Sequence, residues 1–148
     1  MNSKRRGFLK MAVAGLGLAI LPLRLLADFV RSEKAFGATA AEGAFAALGP
    51  MQDSADIILE TPDIAENGAV VPVAATSNIP GTTRMYFVIE KNPNPLAAAF
   101  AIPEGTEAFV QTRVKVAQTS TIYAVVEAGG KLYRAGRETK VTLGGCGG

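Results

Sequence analysis

The sequence contains no histidine and no tryptophan, and it has a single cysteine. Without an imidazole it cannot build a zinc site with histidine ligands, a Ser-His-Asp triad or a Cys-His pair. A thiol enzyme has little support either, because nothing supplies the histidine that usually activates a cysteine. Charge is scarce as well. Only 19% of the 148 residues are charged against 49% hydrophobic, which suits one buried core and hence one domain. Long apolar runs are few, whereas 16 glycines and 8 prolines favour short strands joined by turns over a helical bundle. The net charge of +2 hides an asymmetry, since seven of the fifteen basic residues precede residue 41 with only Asp28 and Glu33 against them. Beyond residue 40 eight basic residues face eleven acids, a net of −3, so a nucleic-acid role has little electrostatic support.

The N-terminal cations belong to an export signal. Lys4-Arg5-Arg6-Gly7-Phe8-Leu9-Lys10 precedes an apolar stretch from Met11 to Leu23 that carries Gly15, Gly17 and Pro22. That is a basic n-region with a short h-region, too glycine-rich for a comfortable membrane span. The paired arginines followed by Phe-Leu-Lys resemble the twin-arginine signal, which exports folded proteins, although Lys4 stands where Ser or Thr is usual. The alternative is an uncleaved anchor, against which Arg24, Asp28 and Arg31 argue. Small residues at Ala35-Phe36-Gly37 and Ala38-Thr39-Ala40 place cleavage near residue 38 or 41. The expected organisation is a signal over residues 1–40, a periplasmic domain over 41–143 and an arm over 144–148.

The domain is expected to be all-β, an immunoglobulin-like β-sandwich with a short N-terminal helix. Residues 40–48 suit that helix, closed by Gly49-Pro50. Candidate strands follow at 56–60, 69–76, 84–90, 97–102, 108–117, 121–127, 131–135 and 138–143, with turns at Asn67-Gly68, Pro80-Gly81 and Gly129-Gly130. In Arg113-Val114-Lys115-Val116 the charged residues face one way and the valines the other, so one sheet face is wet and the other buried. Seven or eight short strands with frequent turns point to the sandwich, and the missing Cys-Trp-Cys core makes it Ig-like in architecture only. Pro72 must sit at an edge or bulge, and Asn92-Pro93-Asn94-Pro95 reads as a stiff loop, either a plain turn or a partner-binding one. Asp63 and Glu66 beside turn residues read as loop acids and not as an acid/base pair.

The sequence closes Leu143-Gly144-Gly145-Cys146-Gly147-Gly148. Four glycines around the thiol give it maximal backbone freedom and no side-chain scaffold. Extended, the five residues after Leu143 reach about 16 to 18 Å, enough to enter a deep pocket of another protein. Nothing nearby lowers the thiol pKa, as no cation is closer in sequence than Lys140, so partner enzymes are expected to activate it. Three rivals remain open at this point: an intermolecular disulfide, an incidental surface thiol, and a ubiquitin-like sulfur carrier activated at a Gly-Gly carboxylate. Export away from ATP speaks against the last.

The terminal pentapeptide is the most specific feature. Together with Ile64-Ala65-Glu66-Asn67-Gly68-Ala69-Val70-Val71-Pro72-Val73, Asn92-Pro93-Asn94-Pro95 and Thr112-Arg113-Val114-Lys115-Val116-Ala117-Gln118-Thr119-Ser120, it resembles the SoxY family of the bacterial thiosulfate-oxidising Sox system. The resemblance implies a non-enzymatic sulfur carrier, with Cys146 as the covalent attachment point and Gly144, Gly145, Gly147 and Gly148 as a swinging arm. It implies a heterodimer with SoxZ, and transient encounters with the c-type cytochrome SoxAX, the dimanganese SoxB and further sulfur-oxidising enzymes. No cofactor is expected on this chain. The alternative is a periplasmic Ig-like binding or assembly module whose cysteine makes only an intermolecular disulfide.

Overall fold

The computed structural model describes residues 33–142, so the twin-arginine segment lies outside the described residues. The described chain is a β-sandwich of nine strands with an eight-residue helix on one outer face, preceded by a short helical segment at residues 33–36. The helix α1 spans Ala41–Leu48. The strands are β1 (Met51–Asp53), β2 (Ile57–Glu60), β3 (Ile64–Ala65), β4 (Val71–Ser77), β5 (Thr82–Ile89), β6 (Leu96–Ala101), β7 (Phe109–Val114), β8 (Ser120–Ala128) and β9 (Lys131–Val141). The larger sheet runs β1-β9-β8-β5-β6 with β3 also paired to β9, and the smaller runs β2-β4-β7.

The core lies between the sheets. Met85, Phe87 and Ile89 of β5 and Ile122, Ala124 and Val126 of β8 point inward against Val71, Val73 and Ala75 of β4 and Val110 and Val114 of β7. The wet-and-dry reading of β7 holds: Val114 and Val116 are buried while Arg113 and Lys115 are exposed. The alternate residues Tyr86, Val88 and Val125 are buried too, because they face α1 on the other side of the sheet together with Leu48 and Leu132. Two-sided burial explains the unbroken apolar run of Met85-Tyr86-Phe87-Val88-Ile89. Helix α1 ends at Gly49, whose φ of +123° favours glycine and whose N–H donates to the carbonyl of Phe45. The Phe45 ring meets Tyr123 edge-on at 5.3 Å, and the Arg134 guanidinium lies 5.5 Å and 5.6 Å from the two ring centroids. Arg134 also bonds Asp53 at 2.8 Å, so one side chain ties α1, β1 and β9 together.

One expected boundary is corrected. Residues 131–135 and 138–143 were expected as separate strands, yet they form one strand, β9, of 11 residues. Gly136 does not break it, since Tyr123 crosses the strand there and a Cβ would sit 2.7 Å from its ring. The short strands β1 and β3 are additions, each paired in parallel with β9. Pro72 sits in β4, the middle strand of the smaller sheet, but β2 reaches only as far as the Glu60–Ala74 pair, so locally no β2 neighbour misses its absent N–H. The Gly129-Gly130 hairpin is as expected, with φ of 56° and 74°.

Two groups make the packing testable. The Thr61 and Thr139 hydroxyls bond each other at 2.8 Å in the interior. Thr139→Val strands the Thr61 hydroxyl and is expected to lower stability by about 1–3 kcal/mol in urea unfolding, whereas adding Thr61→Val recovers most of that loss. Tyr86 has its pKa raised, chiefly by burial and further by the Glu127 carboxylate that accepts its O–H at 3.3 Å, with Arg84 opposing. Its neutral form is favoured by folding. The stability it contributes is complete below the ordinary tyrosine pKa and is lost as pH rises through the folded pKa. Tyr86→Phe is therefore expected to flatten the alkaline limb of a stability-against-pH curve.

Candidate functional site

Cys146 and Gly144, Gly145, Gly147 and Gly148 lie outside the described residues. The root from which these residues continue is described, since β9 ends at Val141 and the described chain at Thr142. Its last residues are held by three bonds from different parts of the chain. The Lys140 N–H donates to the Asp63 carbonyl at 2.9 Å, the Val141 N–H to Thr119 Oγ1 at 3.0 Å and the Thr142 N–H to the Ala65 carbonyl at 3.1 Å. Strand β3 supplies the pairing in parallel, Ile64 with Lys140 and Ala65 with Val141.

Beneath this root the backbone is packed as tightly as it can be. The Val116 N–H donates to the Gly68 carbonyl at 2.7 Å, and a Cβ on Gly68 would press against the carbonyl oxygen of Val116 and lie 2.9 Å from Cγ1 of Val141. Only glycine allows that approach. Asn67 shapes the turn before it, accepting the Ala69 N–H on Oδ1 at 3.0 Å.

The Asn92-Pro93-Asn94-Pro95 loop does more than turn the chain. The Asn92 amide donates through Nδ2 to the Lys115 carbonyl at 2.6 Å and accepts the Ala117 N–H on Oδ1 at 2.9 Å. One planar side chain thus substitutes for a strand neighbour where β7 has ended. The Lys91 N–H donates to Ser120 Oγ at 3.0 Å, and the Glu90 N–H to the Thr121 carbonyl at 3.0 Å. The Asn92 loop therefore braces residues 115–121, which include the Thr119 hydroxyl that holds β9.

The three internal segments that carry the family resemblance, residues 64–73, 92–95 and 112–120, thus join one another around the root of the arm. Sequence reasoning marked Asn67-Gly68 and the Asn-Pro loop as turns but missed Asn92 as a clamp and Thr119 as a pin. Their partners are more than 20 residues away, and no local pattern announces them. Asp63 is engaged as a loop acid, its carboxylate 2.6 Å from Arg137 on the surface. Among the described residues no cluster of three or more acids, cysteines or histidines forms a metal site.

A family model described as sulfur oxidation protein SoxY matches residues 42–146. Among solved structures, the sulfur carrier protein SoxY from Chlorobium limicola f thiosulfatophilum is similar at 38% identity and a TM-score of 0.59, covering 80% of this chain and 96% of that one. A superoxide reductase (neelaredoxin) from Ignicoccus hospitalis is similar at 16% identity and a TM-score of 0.51, covering 58% of this chain and 79% of the other, a likeness of fold alone. No curated protein matches.

Gly68→Ala is the sharpest probe of the root. The new methyl meets backbone, which cannot swing away, so the expected loss is about 1–3 kcal/mol, read as a lower urea midpoint at unchanged m-value.

Proposed function

The chain belongs to the SoxY family of sulfur oxidation proteins, and from that premise we propose that it carries thiosulfate-derived sulfur covalently on Cys146 and presents it to enzymes. One observation carries the reading. The only thiol of the chain stands four residues past Thr142, between glycines, and Thr142 itself is tied by its N–H to Ala65. A held root with a glycine arm suits delivery, because the anchor gives every visit the same origin while the arm adapts to each pocket.

The chemistry follows from the sulfur. Oxidative conjugation joins the Cys146 thiol to the outer sulfur of thiosulfate. An S–S bond forms, the thiol proton leaves, and the two electrons would pass singly to the c-type cytochrome partner SoxAX and its own one-electron acceptors. Hydrolysis of the adduct by SoxB adds water at the terminal sulfonate, breaks the bond between it and the sulfane sulfur, and releases sulfate and protons. A persulfide remains on Cys146. The carrier itself contributes only a sulfur that forms and exchanges S–S bonds reversibly. It is a carrier and not a catalyst in this reading. The reading also places it in the periplasm through the twin-arginine route, as a heterodimer with SoxZ.

Intact-mass spectrometry of the mature protein from cells grown on thiosulfate tests this, with and without reductant and beside Cys146→Ser. Reductant-labile sulfur and sulfonate adducts are expected on the wild type and none on the variant. A cysteine found only free or in a plain protein disulfide would favour the binding-module alternative.

A further inference from the structure

Strand β6 ends the larger sheet, paired with β5 on one side and with no described strand on the other. Its sequence Leu96-Ala97-Ala98-Ala99-Phe100-Ala101 contains no charge and no proline. The other sheet edges are blunted in the usual ways. Strand β1 has three residues and ends in Asp53, β2 has four and ends in Glu60, and β7 carries Arg113. The register against β5 shifts at Ala97, and beyond that bulge the stretch from Ala98 to Ala101 has none of these devices and is open to accept a strand.

The polarity of the backbone agrees. The Ile102 N–H donates to the Thr83 carbonyl at 2.8 Å, so residue 102 turns its backbone groups toward β5. Successive residues of an antiparallel strand alternate in this respect, which directs the N–H and C=O of Ala101 and Ala99 outward. Ala97, Ala99 and Ala101 are exposed and small, leaving room for the side chains of a neighbour.

Beside this edge, between β6 and β7, runs a groove of about 490 Å³. Arg113 and Lys115 line it, and no carboxylate is among its lining residues. We propose that β6 and this groove form a docking site for an extended acidic segment of another protein, which adds to the sheet as a strand and directs carboxylates at Arg113 and Lys115. A second copy of this chain is disfavoured, because pairing two β6 edges would bring the same two cations of each copy toward one another. The site involves neither Cys146 nor its arm, so it stands or falls apart from the carrier reading.

The test uses the full mature chain under reductant, with two blocked synthetic peptides that alternate valine with either glutamate or lysine. Fluorescence anisotropy should show the glutamate peptide binding at least about tenfold more tightly than the lysine peptide. Hydrogen exchange should slow at the amides of Ala99 and Ala101 on binding. Ala99→Pro removes one outward donor from an edge strand, a position where proline is tolerated, and should abolish binding without moving the thermal midpoint. Arg113→Glu combined with Lys115→Glu should reverse the preference between the peptides. Equal binding of both peptides, binding of neither, protection elsewhere than β6, or a dimer in sedimentation that Ala99→Pro dissolves would each overturn the proposal.

Discussion

Burial of β5 and β8 on both faces is the constraint from which the rest of the architecture follows. One face of each strand packs on the smaller sheet and the other carries Tyr86, Val88 and Val125, which would be an exposed apolar patch without a cover. Helix α1 is that cover. The Arg134 side chain, held between Phe45, Tyr123 and Asp53, fastens it to β9 at a point where a cation over two rings contributes about 0.5–1 kcal/mol. Because β9 is hydrogen-bonded to β8 from Lys131 to Thr139, its course is set by the same buried pair. The root of the arm inherits its position from the core.

The sandwich was legible wherever its cause was local. Alternation in β7 reported one buried face, and Gly129-Gly130 reported a two-residue hairpin, since each depends only on neighbours in sequence. The apolar run of β5 was readable as a strand, although not as one buried twice. What failed was the meaning of Gly136. A glycine between two strand-like segments reads as a break, but the reason for it is the Tyr123 ring lying against it, and that ring is 13 positions away in sequence. Strands β1 and β3 were missed because two or three residues cannot display a period.

The candidate site divides in the same way. The Gly-Gly-Cys-Gly-Gly tail advertises itself through composition, and its meaning is chemical and local. Its root is a tertiary construction in which the Thr119 hydroxyl, the Asn92 amide and the bare Cα of Gly68 matter only because the fold brings their partners to them. A side chain that replaces a strand neighbour, as Asn92 does, leaves no periodic trace in the sequence. The segments that carried the family resemblance were recognisable as words before their shared location gave them a reason.

The length of β9 has a mechanical side. A pull applied at Thr142 in the direction of the strand enters the domain through β9. The strand is paired with β8 over nine residues and flanked on its other edge by β1 and β3. A load along such a strand is shared by many hydrogen bonds in shear, whereas a load across it would peel them one by one. The domain thus resists a pull along β9 better than a pull across it.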